Sequence, residues 1–341
     1  MTKSFRMVTA RDVAEIAGVS VSTVGRALSG DPRISAKTIT RVKEAASQLG
    51  YVGNLPARQM RGAKSNLVGL MLPDIRNYFY ATIAEALSDC CSANGYQLAL
   101  SIANDPETEA RHVTELISAR AAGIVIVPTA QPKRETRDLI NNFPHVQLLR
   151  RIESYNSAWF GINDEECLCE GTRHLLSLGH RRIAYIGGSL ELSTGTARRA
   201  GFRRAFQEMG VDRSEAIEIF GPPSITQYGA NAVKELLNRP NPPTALITGT
   251  IRVTQAILET LHEMQISVPG DLSLVGFGDA PEFKWWGPGL TTLWMPIEDL
   301  ATTCGLWFLH HIDSGKLTNQ QHSSIATATL TVRGSTAAPR P

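Results

Sequence analysis

Residues 13–28 read Val-Ala-Glu-Ile-Ala-Gly-Val-Ser-Val-Ser-Thr-Val-Gly-Arg-Ala-Leu, and the organisation of the chain follows from what this stretch can form. Just ahead of it, Thr9-Ala-Arg-Asp12 sets a capping hydroxyl three residues before a carboxylate, the signature of a helix start. Val13, Ala14, Ile16 and Ala17 supply the apolar face of a short helix that Gly18 ends. Ser20 is the next N-cap, and a second helix through Val21–Leu28 turns Val24, Ala27 and Leu28 inward at i, i+3 and i+4. A third helix starts after Ser35, runs through Val42, Ala45, Ala46 and Leu49, and stops at Gly50. Helix, tight glycine-containing turn, helix is the helix-turn-helix arrangement.

The outward positions of the second helix are Val21, Ser22, Thr23 and Arg26. Short side chains let a helix sink into the major groove. There hydroxyls reach bases or phosphates, an apolar methyl meets thymine, and an Arg fork grips a guanine edge. Charge agrees with this reading. Residues 1–64 carry 11 Lys/Arg against 4 Asp/Glu, while the rest carries 23 against 28, within a chain whose net charge is only +2. A basic head on a mildly acidic body implies that the head meets a polyanion and the body does not.

The remaining composition bounds the other classes. A chain of 341 residues with 43% hydrophobic and 19% charged residues has material for two or three packed domains. It holds no apolar run of about 20 residues and no apolar signal core near its start, so no membrane span is expected. Five cysteines, Cys90, Cys91, Cys167, Cys169 and Cys304, do not read as a disulfide framework and fit a reducing cytoplasm. They lack zinc-site spacing and His partners, and buried thiols are the expectation. His310-His311 sits on a helix where neighbours point apart, and His180-Arg181-Arg182 reads as capping and solvated charge. There is no Walker loop, no GxGxxG after a strand, no HExxH and no GxSxG. No cofactor, metal or catalytic residue is therefore expected.

From Asn66 onward, strands alternate with helices. Short apolar runs fall at Leu67–Pro73, Gln97–Ala103, Gly123–Thr129 and Val146–Arg150, then at Arg182–Gly188, Ala216–Phe220, Ala245–Gly249 and Leu272–Gly278. Helical stretches separate them, so the expected fold is a small all-α head followed by two doubly wound parallel-sheet α/β lobes, with ligand at the strand C-termini between them.

The head segment, followed by Ile34-Ser-Ala-Lys-Thr38 and Leu49-Gly-Tyr-Val-Gly-Asn54, resembles the DNA-binding head of the LacI/GalR family of bacterial repressors, and the likeness runs over nearly the whole chain. Gly25 stands where that family usually has Ser, and Gly53 where it has Pro. A glycine inside a helix costs about 1 kcal/mol relative to Ala, so a slightly softer head is expected. The resemblance implies a hinge helix over Asn54–Met60, with Met60 at the Leu position that wedges into the minor groove. The candidate DNA-contacting residues are then Thr9, Ser20, Val21, Ser22, Thr23, Arg26, Arg33, Ser35, Tyr51, Asn54, Ala57 and Met60.

For the body, the resemblance implies a periplasmic-binding-protein-like sensor in which the chain crosses between lobes near 160, 292 and 324. The expected division is a head at 1–53, a hinge at 54–65, a body at 66–332 and a flexible tail at 333–341. Lobe one would be 66–160 with 293–323, and lobe two 161–292 with 324–332. The candidate effector-binding residues are Asp74, Phe79, Tyr80, Arg150, Arg198, Ser224 and Asp279. Arg198 stands at the position of the family's effector-binding arginine, and Phe79 and Tyr80 match aromatic positions that in the family pack on the ligand. Arg150 stands where the family usually has an Asp, Gly278 where it has the first of two carboxylates, and Gly249-Thr250 where it often has Asn-Asp. A cleft that loses acceptors and gains a fixed positive charge points to an anionic effector such as a sugar acid or sugar phosphate. The competing reading pairs Arg150 internally with Asp279 or Asp74 and leaves a neutral sugar. Trp285, Trp286 and Trp294 offer a stacking platform or simply lobe or dimer packing. No apolar heptads follow the body, so the expected assembly is a homodimer on duplex operator DNA. The alternative from another class is a sugar-converting enzyme with an accessory nucleic-acid head.

Overall fold

The computed structural model describes residues 8–51, 65–222, 227–314 and 322–340. In the head, α1 (Ala10–Ala17), α2 (Val21–Leu28) and α3 (Ala36–Leu49) begin at their expected caps. The Asp12 carboxylate accepts both the backbone N–H and the hydroxyl of Thr9 at 2.7 Å. Ser20 and Ser35 accept from the N–H groups of Thr23 and Thr38. Gly18 and Gly50 close α1 and α3 in the left-handed conformation, which glycine adopts without a Cβ clash. Val13, Ala14, Ala17, Val24, Ala27, Val42, Ala45 and Ala46 form the head's core. Ile16 was expected in that core and is half-exposed instead: Val13, Ala14 and Ala17 form the inward stripe, and at about 100° per residue Ile16 falls to its side.

The body contains two six-stranded sheets. The first has the order β11-β5-β4-β3-β1-β2, from β1 (Leu67–Leu72), β2 (Gln97–Ile102), β3 (Gly123–Ile126), β4 (His145–Leu148), β5 (Trp159–Ile162) and β11 (Ser323–Ala326), and is parallel throughout. The second has the order β12-β10-β9-β8-β6-β7, from β6 (Ile183–Gly187), β7 (Ile217–Phe220), β8 (Ala245–Thr248), β9 (Ser273–Phe277), β10 (Thr291–Trp294) and β12 (Thr329–Thr331). Only β12 runs antiparallel, at an edge. Helices α4 (Tyr78–Ala93), α5 (Pro106–Ser118), α6 (Arg134–Asn141) and α11 (Ile297–Ser314) serve the first sheet. Helices α7 (Asp164–Ser177), α8 (Ser193–Glu208), α9 (Gln227–Leu237) and α10 (Ile251–Glu263) serve the second. The central strands are buried along their whole length, as the unbroken apolar runs require.

Three expectations need correction. The crossovers fall two or three residues later than expected, so Leu293 and Trp294 belong to the second sheet and Ser324–Ala326 to the first. The tail from 333 is docked rather than free. Ser335 has no exposed surface, its hydroxyl donates to Leu274 O and accepts from Thr291 N–H, and Ala337 pairs with Ser273. Its small hydroxyl residues read as a linker in sequence but serve here as hydrogen-bond partners for the sheet. His180, read as solvated, is buried between the Thr244 hydroxyl and Ala337 O, each at 2.8 Å, and burial lowers its pKa. All five cysteines are buried free thiols.

Candidate functional site

On the head, α2 presents Val21, Ser22 and Arg26 exposed, while Thr23 is half-buried. The Ser20 hydroxyl bonds those of Ser22 at 2.9 Å and Thr23 at 2.8 Å, which presets both for an incoming acceptor or donor. Arg33 is exposed and lies in a fork on Asp31, whose carboxyl it holds down at about 2. Thr9 and Ser35 sit at helix starts and Tyr51 just past the end of α3. Asn54, Ala57 and Met60 lie outside the described residues, as does Ser224 in the body.

In the body, a cavity of about 240 Å³ opens between the lobes at the C-terminal ends of β1, β3, β4, β6, β8 and β9. Of the expected effector residues it is lined by Asp74, Phe79, Tyr80, Arg150 and Arg198. Phe79 meets Tyr80 edge-on at 6.1 Å between ring centroids, and it packs into the core while also facing the cavity. Arg198 is almost buried on α8. Its Nε donates to Asp164 at 2.6 Å, its Nη1 donates to Gly249 O at 2.8 Å, and its guanidinium lies 4.0 Å over the Phe277 ring. Burial pushes the Asp164 carboxyl upward against the pull of Arg198.

Arg150 is buried in the lobe-one wall. Leu149 before it takes φ +62°, and Arg150 N–H bonds back to Leu148 O at 2.7 Å, a γ-turn of the strained kind. The turn is held from both sides: Leu149 N–H donates to Phe160 O and Leu149 O accepts from Trp159 Nε1. This strain swings Arg150 off the strand end into the cleft. Neither internal pairing expected for Arg150 is made. Asp279 does not line the cavity; it forms a two-pronged pair with Arg333 at 2.7 and 2.8 Å and accepts from Thr292. Asp74 instead pairs with Arg76 and reaches Arg252 of α10 across the cleft at 3.4 Å. Among the described residues the Arg150 side chain makes one hydrogen bond, to Pro128 O at 3.2 Å. Among the described residues no carboxylate lies within 4.0 Å of it.

Sequence reasoning missed several neighbours. Thr129 lines the cavity, and it is buried beside the Glu109 carboxylate. Thr194 and Gly195 line it from the first turn of α8, whose N-cap Leu192 contributes no side-chain cap. A Cβ on Gly195 would lie 2.0 Å from Ser189 O, so only glycine lets that loop close on the helix. Arg151 N–H bonds Ser193 Oγ at 2.9 Å and forms a second bridge between lobes. Trp285, Trp286 and Trp294 do not line the cavity, so the stacking platform is not formed.

Known proteins resemble both parts. Residues 9–54 match the model of bacterial regulatory proteins of the lacI family, and residues 172–336 match a periplasmic binding protein-like domain. The HTH-type transcriptional regulator GalS of Salmonella typhimurium is 31% identical over 299 residues, covering 86% of this chain and 87% of that one. The chain belongs to the LacI family of bacterial regulatory proteins. Catabolite control protein A of Priestia megaterium is 29% identical over 297 residues, 86% of this chain and 89% of that one. Relatives of this LacI-family chain are transcription regulators, which sets the sugar-converting enzyme aside. Its fold matches the lac repressor dimer bound to operator and the anti-inducer ONPF, with a TM-score of 0.81 over 98% of this chain and all of that one at 24% identity. It also matches a LacI-family regulator from Enterococcus faecium with bound ribose, at a TM-score of 0.72 and 23% identity over 80% of this chain and all of that one. Among the described residues of the LacI-family chain no helix is long and apolar enough to cross a membrane, and no side-chain group is suited to a metal.

Proposed function

We propose that this regulator is a repressor that binds a pseudo-palindromic operator as a homodimer in the cytoplasm and responds to a small carbohydrate-like effector carrying an acid group. The head would read DNA through Val21, Ser22, Thr23 and Arg26, with Thr9, Ser20, Arg33, Ser35 and Tyr51 placing it on the backbone. The hinge residues Asn54, Ala57 and Met60 would complete that contact, and Ser224 would add to the cleft.

The observation that carries the effector class is the wall at Arg150: a buried guanidinium with no carboxylate in contact among the described residues, facing the cavity that Thr129 also lines. An acid group at that point supplies the acceptors the wall lacks. The volume, below the roughly 300–1,000 Å³ of drug-sized sites, suits a single-ring ligand. Phe79 and Tyr80 offer an apolar face to such a ring, and Arg198 and Asp74 offer a donor and an acceptor. The effector acts only through its differential affinity for the two lobe arrangements, and DNA alters effector affinity reciprocally.

The test is operator selection from random duplex DNA, followed by a panel of neutral sugars, sugar acids and sugar phosphates. A shift of operator affinity by an acid or phosphate alone supports the proposal. A shift by a neutral sugar alone removes the acid group from it, and failure to enrich any sequence removes the DNA reading.

A further inference from the structure

Glu109 on α5 has no exposed surface, and its two oxygens hold different partners. Oε2 accepts the Thr129 backbone N–H at 2.6 Å, and Oε1 accepts the Tyr155 hydroxyl at 3.1 Å. The N–H that Glu109 receives belongs to the peptide between Pro128 and Thr129, and the carbonyl of that same peptide accepts from Arg150 Nη1 at 3.2 Å. One peptide plane is thus gripped at its positive end by a carboxylate and at its negative end by a guanidinium. This is the orientation in which its dipole favours both charges.

The surroundings keep this clamp rigid. Tyr155 is buried, its carbonyl accepts from Gln147 Nε2 at 3.2 Å, and the ring of His145 meets its ring edge-on. Gln147 Oε1 accepts from Ile152 N–H at 2.6 Å, so the loop that carries Tyr155 is tied to β4. A carboxylate cut off from water needs a counter-charge, and so does the cation in the cleft wall. Burial raises the Glu109 carboxyl above its ordinary value, while its hydrogen bonds to Thr129 and Tyr155 and the nearby charge of Arg150 favour the charged form.

We propose that Glu109 positions Arg150 through the Pro128–Thr129 peptide and, by offsetting part of its charge, sets how strongly the cleft attracts a negatively charged effector. The proposal rests on reading the cleft as the site of an acid-bearing ligand. It makes Glu109 a specificity-determining residue that never touches the ligand. Glu109→Gln keeps the shape: the amide carbonyl still accepts from Thr129, and the NH2 donates to the Tyr155 oxygen. Only the charge is lost, so anion affinity rises. A merely structural lesion would lower it.

The experiment titrates inorganic phosphate by calorimetry into the full chain and into E109Q, E109D and R150Q. Phosphate binding should tighten roughly three- to tenfold in E109Q, the effect of removing one like charge near a site of intermediate polarity. It should weaken in E109D, which keeps the charge but shortens the clamp, and vanish in R150Q. E109Q and E109D changing in the same direction, or E109Q leaving phosphate affinity unaltered, would overturn the charge argument. If phosphate binds neither the parent chain nor E109Q, the acid-ligand reading of the cleft fails by itself. The clamp is then judged by NMR, where the Thr129 amide proton should move upfield in E109Q, and an unmoved resonance ends the proposal.

Discussion

Replacing Asp279 by Asn separates two roles that the sequence leaves superposed on one carboxylate. In the structure Asp279 binds Arg333 through both oxygens at 2.7 and 2.8 Å and accepts from the Thr292 hydroxyl at 2.9 Å. Its side chain is 7% exposed and that of Arg333 is 19% exposed. Arg333 also donates to Leu290 O, so the pair staples the chain beyond β12 to the ends of β9 and β10. Removing one partner of a buried pair costs about 3–5 kcal/mol, and the partial exposure of Arg333 brings the expectation for D279N to about 2–4 kcal/mol. For a body of this size a loss near the middle of that range lowers the melting temperature by roughly 6–12 °C. The assay is thermal unfolding followed by circular dichroism, with ligand titration on the same samples. Stability should fall while cleft affinity stays within about twofold, and D279L/R333M should recover most of the loss, since apolar replacement of a whole pair is often neutral. Unchanged stability with lost ligand response would refute the structural role and return Asp279 to the cleft. The pH dependence carries the same sign. Burial alone would raise the Asp279 carboxyl, but its hydrogen bonds to Arg333 and Thr292 outweigh it and depress the pKa. The staple is therefore complete above the ordinary carboxylate pKa and lost as pH falls through the depressed one.

Three further outcomes are expected. Arg26→Ala should cost about 1–3 kcal/mol of operator binding and relax sequence preference at one base pair, measured by competition with single-site operator variants; a uniform loss across all variants would make Arg26 a phosphate contact. Gly195→Ala should abolish effector response with little change in DNA affinity, read by titration on the operator complex, because its Cβ cannot coexist with Ser189 O. His180 has its pKa lowered by burial, so docking of the tail should weaken as pH falls below 6.5, where the unfolded chain takes up the proton first. Amide exchange at Ala337 measured across that range checks it, and flat protection would contradict it.

The head was legible in the sequence because its signals are local. A cap and its N–H lie three residues apart, and a helix face repeats every three or four. The alternation of strands and helices was legible for a related reason, since strands buried on both faces must be apolar throughout. Arg198, Phe79 and Tyr80 were found through resemblance, and they do face the cleft.

What the sequence left open concerns pairing at a distance. Arg150 was recognised as a cation in the wall, yet Asp74 and Asp279 were its expected partners. The choice went elsewhere because Asp279 meets Arg333, 54 residues on, and Asp74 meets Arg252 of the facing lobe. Glu109 meets Arg150 only through one peptide plane and offsets part of its charge. Residue types alone thus determined that there would be a basic helical head and two α/β lobes, and the resemblance placed a charge in the cleft between them. Which acid answers which base, the positive φ of Leu149 and the docking of the tail were decided only when the sheets brought distant segments into contact. Coulombic and hydrogen-bond energies depend on separations of a few ångströms in space, and separation along the chain does not fix those.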